Sequence, residues 1–164
     1  MTELYRRYRR PLFAFCARLL GDAQGAEDAV HETFIKLSTA ADGISEPRAL
    51  KSWLYTVARN EALMTLRRVM KTGEDGTASV WDDETPLSLA EKRDVQTLVQ
   101  SALAHLKIEY REVILLREFD GLSYAEIARV TGDSASSVKS RIFKARRALA
   151  ARLADVWNEE RENR

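Results

Sequence analysis

The sequence has few of the residues that disulfides, metal sites and membrane spans require. Its 164 residues include one cysteine, Cys16, and two histidines, His31 and His105, which are far apart. A lone cysteine excludes an internal disulfide, and two separated histidines without neighbouring ligands argue against a metal site. No apolar run approaches the roughly 18 residues of a membrane span, and no signal-peptide core follows the arginine-rich start. We therefore expect a protein of the reducing cytoplasm, with no membrane span.

Motifs of catalysis are also missing from the chain. No phosphate-binding glycine loop appears, and no nucleophile is paired with a base. A DNA-acting enzyme such as a recombinase would need clustered carboxylates, for which Asp28 and Glu32 are the candidates. We therefore expect no enzymatic activity, no catalytic residue and no cofactor. Divalent-metal-dependent cleavage of DNA would restore the enzyme alternative.

Helical periodicity runs through almost the whole chain, and no alternating strand pattern accompanies it, so the sequence predicts an all-α fold. Helices are predicted at 2–20, 24–40, 47–58, 61–71, 88–106, 109–118, 124–131 and 135–154. Asn60 is a poor residue for a helix interior and predicts a break between the third and fourth helices.

Charge is segregated along the chain, although the formal net charge is only +1. Residues 73–86, GEDGTASVWDDETP, carry acids and no base. Such a composition cannot bury enough apolar surface to order itself, so we predict a flexible acidic linker at 72–87. The chain then divides into a helical domain at 1–71, the linker, a second helical domain at 88–154 and a polar tail at 155–164. Trp81 in the linker either docks on a neighbouring surface or is simply exposed.

The stretch LSYAEIARVTGDSASSVKSRIFKARRAL, residues 122–149, has the local signals of two helices joined by a short turn. Ser123 and Glu126 have the spacing of a capping box, which opens the first helix. Gly132 ends that helix because glycine enters the left-handed conformation at low cost, and Ser134 caps the next one. The pattern predicts a helix-turn-helix whose second helix can enter the major groove of DNA.

The second of these helices is basic on its outer face. An apolar stripe predicts its buried side: Val138, Ile142, Ala145 and Leu149. The other side and the flanks carry the residues predicted to contact DNA: Ser136, Lys139, Ser140, Arg141, Phe143, Lys144, Arg146 and Arg147. Phe143 points away from the core and can pack on a thymine methyl group. The alternative is a solvated basic face with one exposed aromatic ring.

Two motifs in the first half indicate further surfaces. In AEDAVHETFIKL, residues 26–37, Ile35 lies beside acids on the outward face, a pattern typical of helices that bind a protein partner. In PRALKSWLYTVARNEALMTLRR, residues 47–68, Asn60 can read the edge of an unstacked base, and basic residues near aromatic ones suit a single strand. Taken alone, one exposed isoleucine is commonplace, and Trp53 is most simply a packing residue.

Together these motifs resemble those of extracytoplasmic-function sigma factors, the smallest class of bacterial RNA polymerase sigma subunits. The resemblance runs from about Leu4 to Leu153 and rests on AEDAVHETFIKL, on SWLYTVARN followed by LRR, and on YREVILLREFDGLSYAEIARVTGDSASSVKSRIFKARRAL. It implies a region 2 domain that binds the polymerase clamp helices and opens the −10 promoter element. It also implies a region 4 domain that reads the −35 element, with core RNA polymerase, promoter DNA and an anti-sigma protein as partners.

The resemblance also implies roles for three sets of residues. Core polymerase would be bound by Asp28, His31, Glu32, Ile35 and Lys36. The −10 element would be bound by Arg59, Asn60, Arg67 and Arg68, with Asn60 in a loop that receives a flipped base. The −35 bases would face Lys139, Ser140, Phe143 and Lys144, with Arg141, Arg146 and Arg147 at phosphates.

The chain departs from the family pattern at three places. His31 stands where the family often has glutamine, and Glu61 adds a negative charge beside Asn60. The stretch ISEPRALKS before Trp53 lacks an Arg-Gly-Asp-like turn that many members have. The long N-terminal region and middle domain of housekeeping sigma factors are not expected. The alternative function is an autonomous dimeric helix-turn-helix regulator that binds a palindrome without polymerase, although no heptad seam for a dimer is apparent.

Overall fold

The computed structural model describes residues 1–73 and 89–163, and the regular structure in those ranges is helical, which confirms the predicted fold class. The helices are α1 (Thr2–Leu20), α2 (Ala23–Ala40), α3 (Pro47–Thr72), α4 (Leu89–Ala104), α5 (Ile108–Ile114), α6 (Tyr124–Thr131) and α7 (Ala135–Glu162). A 3₁₀ turn at Ala41–Gly43 follows α2, and a π-helical turn at Leu115–Phe119 continues α5. The predicted linker beyond Gly73, with Trp81, lies outside the described residues. Within them, none of the helices combines the length and apolar character needed to cross a membrane.

Helices α1, α2 and α3 pack on one another around an apolar core. The first turn between them is set by local chemistry. Gly21 ends α1 with a φ of 68°, and its N–H donates back to a carbonyl of the last turn. The Asp22 carboxylate then accepts hydrogen bonds from the backbone N–H groups of Gln24 and Gly25, each at 3.1 Å, and so starts α2. The capped turn folds α2 back onto α1.

The predicted helix break at Asn60 is wrong, because α3 runs without interruption through that residue. Leu54, Ala58 and Ala62 continue a single buried face past it, while the Asn60 side chain is exposed. A single asparagine costs a helix less than about 0.7 kcal/mol. Packing of the aligned apolar face outweighs that cost.

Helices α6 and α7 form the predicted helix-turn-helix. The backbone N–H of Glu126 donates to Ser123 Oγ at 3.1 Å, and Ser123 N–H donates to the Glu126 carboxylate at 3.4 Å, which completes the capping box. Gly132 ends α6 with a φ of 77°. Ser134 Oγ accepts a backbone N–H at 3.1 Å and starts α7. Since α7 continues to residue 162, most of the predicted polar tail is helical.

The two helical halves pack against each other. Their buried side chains form one contiguous cluster that runs from α1 to α7. Between the halves, Tyr55 Oη donates to the Asp120 carboxylate at 2.8 Å, and Arg111 Nη1 donates to the Leu19 carbonyl at 2.7 Å. We call this contact between residues 1–73 and 89–163 the seam.

Candidate nucleic-acid and polymerase interfaces

The outward face of α7 presents most of the residues predicted to contact −35 DNA. Val138, Ile142 and Ala145 are buried, as the apolar stripe predicted. The exposed members of the predicted set are Ser136, Lys139, Ser140, Phe143, Lys144, Arg146 and Arg147. The core-facing and outward-facing residues therefore lie on opposite sides of one helix, whose diameter suits the major groove of DNA.

Phe143 is a large aromatic residue on a face that otherwise carries serine and basic residues. Its residue surface is 63% exposed. The Arg147 guanidinium lies over the ring, 5.8 Å from its centroid, which is within the range of a cation–π contact. The contact with Arg147 helps to hold the Phe143 ring in place, and the exposed ring can pack against a base or a thymine methyl group.

Two arginines of the predicted −35 set are engaged within the protein. Arg141 places Nη2 2.7 Å from the Asp133 carboxylate and Nη1 3.7 Å from the Glu112 carboxylate, and its side chain is largely covered. Arg146 Nε donates to the Glu118 carboxylate at 2.7 Å in a half-exposed pair. Exposed pairs are weak, so Arg146 can exchange Glu118 for a phosphate at small cost. Both of these partners of Arg141 lie within residues 89–163, in the same half of the chain as Arg141 itself.

The residues predicted to contact the −10 element lie along α3 but differ in accessibility. Arg67 and Arg68 are exposed near its C-terminal end. Asn60 is also exposed, and its Oδ1 accepts a hydrogen bond from Arg59 Nη1 at 3.3 Å. Arg59 itself donates from Nε and Nη2 to the two carboxylate oxygens of Glu112, at 2.8 and 3.2 Å. This bidentate pair crosses the seam and occupies the guanidinium.

The residues predicted to bind core polymerase share one exposed face of α2. They are Asp28, His31, Glu32, Ile35 and Lys36. The opposite face of the helix is buried through Val30, Phe34 and Leu37. Ile35 is 45% exposed among charged neighbours, an arrangement typical of the surfaces through which proteins bind one another.

Glu61, the departure noted beside Asn60, has a partner. The Lys36 ammonium donates to the Glu61 carboxylate, and this hydrogen bond raises the pKa of Lys36. The negative charge of Glu61 is thereby offset beside the predicted single-strand site. The same contact fixes α2 relative to α3, and so links the predicted polymerase and −10 surfaces.

Sequence reasoning missed two carboxylates at the seam, Glu112 and Asp120. Glu112 is only 2% exposed. Burial raises the pKa of Asp120 to about 6, opposed by a hydrogen bond from Tyr55 and by nearby positive charge. The charged and titratable groups that face Asp120 are Tyr55, Arg18, Lys51 and Cys16. An acid inside the apolar run EVILL is a signal of a buried ion pair, but the sequence does not say with which base.

The candidate surfaces offer charged groups, hydrogen-bonding groups and apolar contact area. Among the side chains that the structure describes, no group of three or more His, Cys, Asp or Glu residues is positioned to hold a metal ion. The exposed basic face of α7 can bind phosphates and base edges, and the α2 face can bind another protein.

Comparison with known proteins gives matches in both halves. Residues 4–72 match the family described as Sigma-70 region 2, and residues 96–149 match Sigma-70, region 4. The ECF RNA polymerase sigma factor SigL of Mycobacterium tuberculosis is 34% identical over 95% of this chain and 90% of its own length. The RNA polymerase sigma-H factor of Pseudomonas aeruginosa is 32% identical over 93% of this chain and 86% of its own.

Two solved structures have the same overall arrangement. One is the sigma factor RpoE in complex with the anti-sigma factor NepR from Bartonella quintana, with a TM-score of 0.74 at 26% identity, covering 94% of this chain and 98% of that one. The other is CnrH in complex with the cytosolic domain of CnrY, with a TM-score of 0.69 at 27% identity, covering 94% and 87%. Both alignments span the two helical halves.

Proposed function

The chain belongs to the extracytoplasmic-function class of RNA polymerase sigma factors, and from that premise we propose that it reads a two-part promoter with two separate surfaces. Sigma factors are promoter-specificity subunits of RNA polymerase and transcription initiation factors rather than enzymes. In the proposal, the outward face of α7 reads the −35 element. The α3 residues Asn60, Arg67 and Arg68 bind the −10 strand once it is unpaired.

The observation that carries the −35 assignment is the 63% exposure of Phe143 on a helix face otherwise made of serine and basic residues. Leaving a large aromatic ring in water has a cost that a thymine methyl contact would remove. Lys139 and Lys144 flank the ring within reach of phosphates or guanine edges. Ser140 lies on the same face and can bond a base edge.

The −10 assignment is supported by the exposed amide of Asn60 and the arginines beyond it. An amide can bond the Watson–Crick edge of a base that has left the stack, and guanidinium groups can follow the backbone of a single strand. Arg59 joins this set only after it leaves Glu112. In the proposal these residues take part in melting the −10 element, because they hold the strand once it is unpaired.

Two protein partners complete the proposal. Core polymerase docks on the α2 face around Ile35, where an apolar centre has a charged rim. An anti-sigma protein restrains the chain, as suggested by the similar structure of the sigma factor RpoE in complex with the anti-sigma factor NepR. The site of action would be the cytoplasm, where core polymerase is found.

The test is to mix the purified chain with core RNA polymerase and a promoter library, and to sequence the transcripts made with and without it. Start sites downstream of a shared two-part motif, absent without the chain, are the expected result. If core polymerase neither binds the chain nor gains start sites, with any anti-sigma protein shown to be absent, the autonomous helix-turn-helix regulator becomes the better account.

A further inference from the structure

The N-terminal half of α1 carries a high concentration of positive charge. Four arginines lie within residues 6–10, and Glu3 is the only acid in the sequence of the whole helix. Three of these arginines are exposed, namely Arg6, Arg7 and Arg10, and we call them the α1 basic face. A solvated helix surface usually mixes charges of both signs, so this face calls for a separate explanation.

Contacts within the fold account for Arg9, the fourth arginine, but they account poorly for the α1 basic face. Arg9 Nη2 lies 3.3 Å from the Glu27 carboxylate of α2, and its guanidinium lies 5.9 Å from the centroid of the Tyr5 ring. Arg6, by contrast, approaches Glu3 at 3.7 Å in a pair whose side chains are 76% and 81% exposed. So exposed a pair contributes little to stability.

The spacing of the α1 basic face is unfavourable for the helix by itself. Arg10 is four residues from Arg6 and three from Arg7, and residues at these spacings are neighbours on a helix surface. Like charges placed there destabilise a helix. A negatively charged ligand would remove this repulsion, so the arrangement favours a face that binds an anion.

Helix α1 runs parallel to α3, which carries the proposed −10 surface. Cys16 Sγ lies 3.7 Å from the Ala58 carbonyl. Farther along both helices, Leu20 and Thr65 lie against Gly25. Neighbouring residues therefore advance in the same direction along the two helices. The N-terminal half of α1 lies towards the N-terminal end of α3.

The α1 basic face is consequently beyond one end of the proposed −10 surface. It precedes Cys16 by six to ten residues, and Asn60 follows Ala58 by two. At a rise of about 1.5 Å per residue, the centre of the face is about 15 Å along the helices from the level of Asn60. That length corresponds to roughly four or five base pairs of duplex DNA.

The order of the two halves along the chain gives the direction of the DNA. Helix α3 ends at Thr72, and the chain continues from that end to residues 89–163, which carry the proposed −35 surface. The −35 element is upstream of the −10 element, so the C-terminal end of α3 faces upstream in the proposed function. The α1 basic face then lies on the downstream side.

We propose that the α1 basic face binds phosphates of the promoter DNA just downstream of the −10 element, whatever the sequence there. The proposal rests on the proposed function, since that function sets the direction of the DNA along α3. Guanidinium groups match phosphate in geometry and charge, and a polyanion is the ligand that suits several adjacent cations. Phosphate contacts fix position without reading bases, so this face adds affinity and orientation to the two base-reading surfaces.

The test uses holoenzyme reconstituted from core polymerase and the full chain. The α1 variant is the double substitution Arg6→Gln and Arg7→Gln, and the control variant is Lys107→Gln and Arg161→Gln. Each variant loses two exposed positive charges, but those of the control lie in the other half and outside the proposed DNA-binding sets. Arg10 is left unchanged because it also interacts within the chain.

Fluorescence anisotropy measures binding to two fragments of a promoter recovered from the transcripts. One fragment ends at the downstream edge of the −10 element, and the other continues beyond it as duplex. On the longer fragment the α1 variant should bind roughly tenfold more weakly, with a salt slope smaller by about 1 to 2, since each phosphate contact contributes about 0.9. On the shorter fragment it should match the wild type. The control variant should match the wild type on both.

Thermal unfolding and titration with core polymerase separate DNA binding from other effects. The α1 variant loses like-charged neighbours, so it should unfold at no lower temperature than the wild type, and it should bind core polymerase equally well. Weaker binding to core polymerase would overturn the proposal, because the face would then belong to a protein interface.

Two DNA-binding results would also overturn the proposal. The first is equal binding of the α1 variant and the wild type to the longer fragment. The second is the same loss on both fragments, which would place the contact elsewhere. If wild-type holoenzyme does not prefer the promoter to scrambled DNA, the proposed function itself fails, and this inference fails with it.

Discussion

Ile142 and Phe143 are consecutive residues on α7 with opposite environments. Substitutions at the two positions therefore distinguish an effect on folding from an effect on DNA binding. Ile142 is 1% exposed and Phe143 is 63% exposed. Ile142→Ala should lower the free energy of unfolding by about 2 to 5 kcal/mol, because it leaves a cavity in the core. Phe143→Ala should change that free energy by less than about 0.5 kcal/mol, because the ring lies mostly in water.

The expected loss of DNA binding follows from the area that Phe143 leaves uncovered. A phenylalanine buries on the order of 150 to 250 Å² when it is fully covered. Covering the exposed 63% of this residue would be worth about 2 to 4 kcal/mol at about 25 cal/mol per Å². Contact with one base pair covers only part of the ring, so Phe143→Ala should cost about 1 to 3 kcal/mol at one −35 position.

The assay uses polymerase reconstituted with each variant and promoters that differ at single −35 positions. Anisotropy gives the dissociation constants on specific and scrambled −35 sequences, and urea unfolding of the free chain gives stability. Arg146→Ala is the comparison, because a phosphate contact should weaken all sequences alike and lower the salt slope. Equal losses for Phe143→Ala on specific and scrambled sequences would refute the base-reading assignment.

Three other predictions concern separate parts of the molecule. Ile35→Glu puts a charge at the centre of the α2 face and should weaken binding to core polymerase at least about tenfold in a pull-down titration, without lowering the thermal midpoint of the free chain. Asn60→Ala should reduce permanganate reactivity of −10 thymines while −35 binding and helix stability are kept, since alanine favours helix. Because burial raises the pKa of Asp120 to about 6, the free energy of unfolding should fall by up to about 3 kcal/mol as pH rises from about 4 to about 7. Urea unfolding of Asp120→Asn should lack that decline.

The helix-turn-helix could be predicted from the sequence because its determinants are local. The capping box joins Ser123 to Glu126, three residues away, and Gly132 and Ser134 each act within one turn. Hydrogen bonds of this range depend on residue type and spacing, both of which are visible in the sequence. The outward set on α2 was predictable for the same reason, since helical periodicity alone assigns its faces.

The break expected at Asn60 shows where local rules fail. Asparagine destabilises a helix interior only slightly. Whether α3 continues through Asn60 is therefore determined by the apolar face that the helix buries. Leu54, Ala58 and Ala62 continue that face on both sides of Asn60. The alignment of these apolar residues is visible in the sequence. Its contribution to stability can be judged only when it is known that α1 and α2 pack against this face. The helix propensity of Asn60 was therefore a weaker signal than the continuous apolar face of α3.

The seam depends on partners that periodicity does not identify. Arg59 and Glu112 are 53 residues apart, and nothing local to either residue selects the other. A count of basic residues along α7 treats Arg141 as available to DNA, whereas the structure pairs it with Asp133 and Glu112. The anion nearest to an arginine in the free protein need not be the anion it binds in the promoter complex. The charge along a helix therefore predicts the kind of ligand that its face prefers. Only the packed structure shows which basic side chains are already paired with an acid of the same chain and must break that pair before they can bind the ligand.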